Sequence, residues 1–245
     1  MSLLRIDDIT VQFGGVTAID QASFEVEAGE ITGLIGPNGA GKTTCFNVIT
    51  GLQKPSAGKV VFDDHDVTRL PVNRRARRGI GRTFQRLEAF GSLTVRDNVR
   101  TALDIHHGAR GWRRSTAAGA DALLERVGIE QYADHRADSV PTGTARLLEV
   151  ARALACEPRL LLLDEPSSGL DEAETVAFGD LLRELVEEGC SVLLVEHDMD
   201  LVMSVCTTLH VLDFGRIIAS GDPATIRTDP VVQQAYLGYV EEEAS

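Results

Sequence analysis

The chain has 245 residues, of which 43% are hydrophobic and 25% are charged, a composition typical of one globular domain or of a domain with a small satellite. Its 37 acidic residues outnumber 24 Lys and Arg, so the formal net charge is −13, which disfavours general binding to nucleic acid. The apolar runs fall far short of the roughly 18 residues that cross a bilayer, so we expect no membrane-spanning segment. The first residues lack the basic and apolar pattern of a signal peptide, so we expect no signal peptide either.

The N-terminal part of the chain alternates apolar and polar residues with a period close to two. The apolar positions are Leu4, Ile6, Ile9, Val11, Phe13, Phe24 and Val26. This spacing predicts an antiparallel β layer. A short apolar run over 31–35, a glycine-rich loop and helical spacing over 41–52 predict a strand, a loop and a helix in turn. Residues 60–62, ahead of the turn Asp63-Asp64, predict a further hairpin strand.

The middle of the chain follows helical patterns over 94–107 and 121–127 with no strand between them. We therefore predict a helical subdomain over 87–155, with its most loop-like stretch at 106–116. Residues 160–163 and 192–195 are uniformly aliphatic, as in parallel strands covered on both faces. The residues between these two strands follow a helical pattern that ends at Gly189. A strand, a helix and a parallel strand in this order imply a right-handed crossover.

These elements predict an α/β fold in three parts. Residues 1–86 and 156–221 form the core, and residues 87–155 form the helical insertion. Residues 222–245 form a C-terminal helix, with its pattern over 231–237, and an acidic tail that ends near Glu243.

A phosphate-binding loop is the strongest motif. Residues 36–43 fit G-x-x-x-x-G-K-[ST] between a predicted strand and a predicted helix. The glycines allow backbone N–H groups to surround phosphates, Lys42 neutralises the phosphate oxygens, and the Thr43 hydroxyl can bind Mg²⁺. The residues that we expect to bind the nucleotide are Gly36, Asn38, Gly39, Ala40, Gly41, Lys42, Thr43 and Thr44.

Paired acids follow the aliphatic strand at 160–163. Ligands bind at the carboxyl ends of strands in an open α/β sheet, so Asp164 is placed to hold Mg²⁺ and Glu165 to orient or deprotonate the attacking water. A solvated acidic turn is the alternative. The strand over 192–195 delivers His197 to the same edge, where its imidazole can reach a terminal phosphate, although a lone histidine is more often structural.

In this order the motifs resemble the nucleotide-binding subunit of ATP-binding-cassette (ABC) transporters over essentially the whole chain. The resemblance implies a P-loop NTPase (RecA-like) core with an antiparallel β layer and an inserted α-helical subdomain, and Mg²⁺-dependent ATP hydrolysis. It assigns catalysis to Gln85, Glu165 and His197. It also assigns adenine stacking to Phe13, which can equally be a core residue. The implied metal ligands are Thr43, Gln85 and Asp164.

One motif departs from the family pattern. The signature, usually Leu-Ser-Gly-Gly-Gln, stands here as Val-Pro-Thr-Gly-Thr at 140–144, so Pro141 replaces a serine hydroxyl that faces the ATP of a second subunit. Gly143 and the following helix remain, and a helix N-terminus still favours a phosphate. We expect the hydroxyl of Thr142 or Thr144 to restore part of the lost bond.

Four short runs narrow the resemblance to the ATPase subunits of branched-chain amino acid importers. They lie at 13–18, 79–85, 195–199 and 235–238. The resemblance implies an ATP-hydrolysing subunit that lies at the cytoplasmic face of the membrane and powers a separate permease. The implied partners are the permease subunits and a second cassette, together with a substrate-binding protein that acts on the transporter without direct contact with this chain. The alternatives are a lipopolysaccharide-export cassette, a poorly hydrolysing nucleotide-gated regulatory module, and a soluble cassette in DNA repair, translation or cofactor assembly.

Two further features leave alternatives open. An arginine run comprises Arg69, Arg74, Arg75, Arg77, Arg78, Arg82 and Arg86. We interpret it as a solvated face, with docking of a partner or of anionic lipid headgroups as the alternative. The four cysteines are scattered without a Cys-x-x-Cys pair, which predicts that the protein is located in the reducing cytoplasm. Cys45 follows the phosphate loop and is either a reactive thiol near ATP or a buried, inert one.

Overall fold

The structure of the chain is a computed structural model that describes residues 1–85, 87–108 and 117–242. In chain order its strands are β1 (Ser2–Phe13), β2 (Val16–Glu27), β3 (Ile31–Ile35), β4 (Ala57–Phe62), β5 (His65–Asp66), β6 (Ile80–Arg82), β7 (Leu160–Asp164), β8 (Ser191–Val195), β9 (Thr208–Asp213) and β10 (Arg216–Gly221). They form two sheets, with the strand orders β2-β1-β4-β5 and β10-β9-β3-β8-β7-β6.

The first sheet is the predicted antiparallel layer. β1 pairs with β2 through a hairpin and with β4 on its other side. Leu4, Ile6 and Ile9 of β1 are almost fully buried, while polar residues between them reach the surface. This one-sided burial is the reason that the period of two identified the strands.

The second sheet is parallel except for the edge strand β10. The predictions of β3, β7 and β8 are confirmed, whereas β6, β9 and β10 were not predicted. β6 has three residues, and β9 places Thr208 and His210 among its apolar residues. Along β7, Leu161 and Leu163 enter one hydrophobic core and Leu160 and Leu162 the other. Both faces are therefore covered, which accounts for the uniformly aliphatic sequence.

The helices lie between the strands along the chain and after the last strand. They are α1 (Lys42–Thr50), α2 (Val72–Ala76), α3 (Val95–His107), α4 (Ala117–Arg126), α5 (Thr142–Leu154), α6 (Glu172–Glu187), α7 (Met199–Val205), α8 (Pro223–Thr228) and α9 (Pro230–Glu242). The predicted helices correspond to α1, α3, α4, α5, α6 and α9, and α4 begins at Ala117 rather than at 121. No helix in the described part of the chain has the length and apolar character needed to cross a membrane.

The chain between β6 and β7 builds α3, α4 and α5, which pack against one another. The predicted α/β fold with an antiparallel layer and a helical insertion is therefore confirmed. Residues 109–116 of the predicted loop, Arg86 of the arginine run and Glu243 of the tail lie outside the described residues.

The interpretation of the arginine run as a solvated face is wrong for two of its members. Arg75 is 1% exposed, and its guanidinium donates to the carbonyl oxygens of Val48 at 2.6 Å and Ile49 at 2.7 Å, in the last turn of α1. The Arg82 side chain is 5% exposed and pairs with a carboxylate. Both guanidinium groups can be buried because each is hydrogen-bonded to acceptors, and these acceptors include residues that are distant in the sequence. The exposed members are Arg69, Arg74, Arg77 and Arg78.

Candidate functional site

A cavity of about 300 Å³ lies where β3, β7 and β8 end. It brings together most of the residues that the sequence predicts for the site. Its lining consists of Asn38, Gly39, Ala40, Gly41, Lys42, Thr43, Thr44, Gln85, Asp164, Glu165 and Val195. Parallel strands point their carboxyl ends at one edge of the sheet, so segments distant in the sequence meet here.

The phosphate loop connects β3 to α1. Gly36 has a φ of 151°, and a Cβ there would lie 1.9 Å from the Leu212 carbonyl oxygen, so the position accepts only glycine. The N-terminus of α1 has no side-chain cap, which leaves its N–H groups available to an anion.

Lys42 folds back over this loop. Its Nζ donates to the carbonyl oxygens of Gly36 at 2.5 Å and Pro37 at 2.9 Å. Burial lowers the pKa of Lys42, and the charges of Glu165 and Asp164 oppose that shift. The ammonium group is thus positioned over the loop by bonds that phosphate oxygens can replace.

Asp164 is 2% exposed and is held by two groups of β6 and its extension. Its Oδ2 accepts a bond from Arg82 Nη2 at 3.2 Å, and its backbone N–H donates to the Thr83 hydroxyl at 3.2 Å. Burial raises the pKa of Asp164, and the Arg82 guanidinium lowers it in opposition. The carboxylate is therefore oriented within the cavity wall.

Glu165 and His197 meet beside the cavity. Glu165 has a φ of 51°, and its N–H donates to the Val195 carbonyl oxygen at 2.9 Å. Such a left-handed conformation is strained for a glutamate, and the bond to Val195 helps to hold it. His197 Nδ1 lies 3.7 Å from Glu165 Oε1, and the histidine side chain is 71% exposed. The predicted base and histidine thus lie close enough to act on one substrate group.

Glu196 is a site residue that the sequence analysis did not select. It is 3% exposed, and its Oε1 accepts bonds from the Ser167 N–H at 2.8 Å and hydroxyl at 2.7 Å. Its Oε2 accepts the His197 N–H at 3.1 Å. Glu196 therefore ties the segment after Glu165 to the segment of His197. Its position next to His197 at the end of β8 is the sequence signal that could have identified it.

The oxygen donors of the cavity fit Mg²⁺. Thr43 offers a hydroxyl, Gln85 an amide oxygen and Asp164 a carboxylate, and all three line the same space. Across residues 1–85, 87–108 and 117–242, no group of three or more His, Cys, Asp or Glu side chains is arranged to hold a metal.

The altered signature begins α5. Pro141 is the residue before the helix and supplies no side-chain cap. A Cβ on Gly143 would lie 2.6 Å from the Gly169 carbonyl oxygen, so the helix start packs closely on the loop that follows Glu165. Thr142 is exposed, but Thr144 is 5% exposed. The expectation that either hydroxyl can reach a phosphate is wrong for Thr144, because this side chain packs inside the protein.

Two open alternatives can now be decided. Phe13 is the last residue of β1 and is not among the residues that line the cavity; its 50% exposure excludes the core interpretation. Its stacking on adenine stays a prediction. Cys45 is 3% exposed, and burial raises its pKa to about 12, so it is the buried, inert thiol.

Comparisons with known proteins extend over nearly the whole chain. The family model described as ABC transporter matches residues 19–168, and one described as Branched-chain amino acid ATP-binding cassette transporter matches residues 216–242. The high-affinity branched-chain amino acid transport ATP-binding protein LivG of Escherichia coli (strain K12) is 37% identical over 249 residues, covering 96% of this chain and 98% of LivG. The lipopolysaccharide export system ATP-binding protein LptB of the same strain is 36% identical over 238 residues, covering 97% and 98%.

The fold is shared with solved structures as well. A dimeric structure of a post-hydrolysis state of an ATP-binding cassette, bound to ADP and Pi, matches with a TM-score of 0.82 and 26% identity. The match covers 90% of this chain and 98% of that one. Both the sequence and the fold therefore match ATP-binding cassettes.

Proposed function

The chain belongs to the ABC transporter family as an ATP-binding subunit, and we propose that it hydrolyses ATP to power a separate permease for branched-chain amino acid uptake. The observation that carries the proposal is the single cavity shared by the phosphate loop, Gln85, Asp164 and Glu165. Binding groups for phosphates and a candidate base for water occupy one site, as phosphoryl transfer to water requires.

Each group has a distinct task in the proposed reaction. The backbone N–H groups at the start of α1 and the Lys42 ammonium bind phosphate oxygens. Glu165 orients the attacking water and accepts its proton, and His197 contacts the terminal phosphate. Mg²⁺ bound by Thr43, Gln85 and Asp164 would supply charge neutralisation at the phosphates.

A second cavity, of about 330 Å³, supports a docking site for the permease. It is a groove between the core and the helical insertion. Its exposed apolar lining comprises Leu52, Val72, Phe84, Phe90 and Ile105. Such a groove suits the apolar face of a helix from a partner. Gln85 lines the first cavity while Phe84, Glu88 and Phe90 line the groove, so the segment 84–90 connects the proposed docking and nucleotide sites.

We infer that two cassettes act together at the cytoplasmic face of the membrane. The dimeric cassette described above supports this arrangement. The exposed start of α5 at Pro141 and Thr142 supplies a surface for the nucleotide of a second cassette. In this division, residues 1–86 and 156–221 bind nucleotide, residues 87–155 carry the signature, and residues 222–245 form the C-terminal part.

The C-terminal match over residues 216–242 favours a branched-chain amino acid as the cargo. A substrate-binding protein would then deliver the amino acid to the permease. The overall identity of 36% to LptB makes lipopolysaccharide export the second candidate.

Uptake of radiolabelled leucine by a strain that lacks this chain tests the proposal. We expect uptake to be lost, and to be restored by the wild-type chain but not by Glu165→Gln. Normal leucine uptake with lipopolysaccharide retained in the inner membrane would select the export function. Wild-type ATP turnover no faster than that of Glu165→Gln would instead favour the regulatory module.

A further inference from the structure

Arg82 is a buried charge that the proposed mechanism does not use. It is the last residue of β6, three positions before Gln85, and its side chain is 5% exposed. Burial lowers its pKa, while the charge of Asp164 opposes that shift. A guanidinium in such a place is stable only if most of its donors are bonded.

The donors of Arg82 bond two distant segments and the neighbouring residue of its own segment. Nη2 bonds Asp164 Oδ2 at 3.2 Å, Nη1 bonds Asn47 Oδ1 at 2.6 Å, and Nε bonds the Thr83 carbonyl oxygen at 3.0 Å. Asn47 belongs to α1, the helix that begins at the phosphate loop. One rigid fork therefore fixes the Asp164 carboxylate relative to the loop that binds phosphate.

Two aromatic rings hold the guanidinium plane in place. The Cζ atom of Arg82 lies 4.8 Å from the ring centroid of Phe84 and 5.4 Å from that of Phe46. Phe46 is fully buried, whereas Phe84 is 37% exposed and lines the docking groove. The guanidinium thus stands between the groove wall and the carboxylate.

We propose that Arg82 is a positioning residue that holds Asp164 in the orientation required to bind the nucleotide-associated divalent cation. This inference rests on the proposed function, in which Asp164 is a cation ligand. Only Oδ2 of Asp164 is bonded to Arg82. A carboxylate held at one oxygen by a buried donor cannot rotate freely, so its approach to the cation is preorganised.

The prediction concerns the contribution of the cation to nucleotide affinity. Loss of a residue that orients a metal ligand weakens metal binding by about 10- to 100-fold. We expect Arg82→Gln to reduce the ratio of ADP affinity in Mn²⁺ to ADP affinity in EDTA by about tenfold. Its ADP affinity in EDTA should stay within about twofold of wild type, because the phosphate loop is intact.

A fluorescent ADP analogue, titrated with Mn²⁺ or with EDTA, measures this ratio without hydrolysis. Arg159→Gln is a matched control, because Arg159 also bonds a carboxylate, that of Asp63, and lies 5.8 Å from the Phe62 ring. Its side chain is 51% exposed and does not line the cavity. This control should leave the ratio unchanged.

Further variants separate the possible failures. Arg82→Lys keeps the buried charge and so remains informative if Arg82→Gln fails to fold. The affinity ratio of Arg82→Lys should lie between those of Arg82→Gln and wild type. A wild-type ratio for Arg82→Lys would overturn the proposal. An Arg82→Gln ratio equal to wild type, or an equal loss in Mn²⁺ and EDTA, would also overturn it while leaving the proposed function intact. If Asp164→Asn leaves the ratio unchanged, the proposed cation site fails together with this inference.

Discussion

At the scale of single residues, Lys42 and Glu165 share one cavity but are expected to act on different atoms. Lys42→Ala removes the cation that binds phosphate, whereas Glu165→Gln removes only the group that activates water. We expect about 10- to 150-fold weaker ATP binding for Lys42→Ala, from a lost charge-assisted bond of about 1.5–3 kcal/mol. Glu165→Gln should bind ATP normally and trap it.

Nucleotide affinity and single-turnover hydrolysis distinguish these two effects. Lys54→Ala changes an exposed lysine and serves as the control. Normal single-turnover hydrolysis by Glu165→Gln would contradict the assignment of this residue as the base.

His210 makes a prediction about pH. A carbonyl oxygen only accepts, so His210 Nε2–H donates to the Glu25 carbonyl oxygen at 2.9 Å, and Nδ1 of a neutral ring is left to accept the Ser220 hydroxyl at 2.8 Å. Burial lowers the pKa of His210 in the folded state, while the Glu25 carbonyl opposes the shift. Below about pH 6.5 the unfolded chain binds a proton that the folded chain does not, so the free energy of unfolding falls as pH falls.

The expected loss is at most about 1.4 kcal/mol for each pH unit below about 6.5. Denaturant unfolding at several pH values should show a smaller loss for His210→Gln than for wild type. His106→Gln, at an exposed position, should follow the wild-type curve. Equal pH dependence of wild type and His210→Gln would show that the buried imidazole is not responsible.

At the scale of elements, the C-terminal end of α1 is stabilised by a charge from a neighbouring helix. The Arg75 guanidinium of α2 bonds carbonyl oxygens of Val48, Ile49, Thr68 and Leu70. The partial negative charge at a helix C-terminus also attracts this positively charged group. Because each charge-assisted bond contributes about 1.5–3 kcal/mol and the contributions are not additive, we expect Arg75→Met to lower the free energy of unfolding by about 3 kcal/mol.

Equilibrium urea unfolding of Arg75→Met and Arg74→Met tests this interpretation. Arg74 is the exposed neighbour on the same helix, so its replacement should change stability by less than about 0.5 kcal/mol. Similar small effects for both variants would show that the bonds of Arg75 do not stabilise the end of α1.

The segment 84–92 makes a prediction about docking. Cysteines introduced at Glu88 and Ser92, both exposed, should cross-link to the permease in a nucleotide-dependent manner. Cys156 lines the docking groove and is first replaced by serine. The other three natural cysteines are buried and are kept. A cysteine at the exposed Glu187 of α6 is the control. Failure at both introduced cysteines, with normal labelling of their thiols, would place the permease elsewhere.

At the scale of the whole molecule, the altered signature predicts an asymmetric pair of sites. Each ATP in the proposed dimer lies between the phosphate loop of one cassette and the signature of the other, so Pro141 affects the nucleotide of the partner. A missing bond of about 1.5–3 kcal/mol slows that site by about 10- to 150-fold if the bond forms mainly in the transition state. Of the two threonines, only Thr142 is exposed enough to compensate.

A heterodimer with a cassette that carries a serine-containing signature tests the asymmetry. Glu165→Gln in this chain should abolish most ATPase activity, while the equivalent change in the other cassette should be tolerated. Thr142→Val should slow the weaker site further. Equal losses from the two glutamate changes, or the reverse ranking, would mean that the proline-containing loop is an adequate signature.

The sequence by itself determined the features that depend on contiguous residues. Phosphate binding needs closely spaced backbone N–H groups, so the loop at 36–43 is written as a local motif. Strands buried on both faces must be aliphatic, which identified β7 and β8 and placed Asp164 at a strand end. Short or polar strands such as β6 and β9 carry no such pattern and were missed.

Only the tertiary structure decided which charges are buried and what they contact. Arg75 meets carbonyls 26 and 27 residues away, Glu196 meets Ser167 at a separation of 29, and Arg82 meets Asp164 at a separation of 82. In the sequence these residues look like surface charges, because most charged residues are exposed. The free energy that keeps them buried comes from partners that approach only when the sheet and helices have assembled.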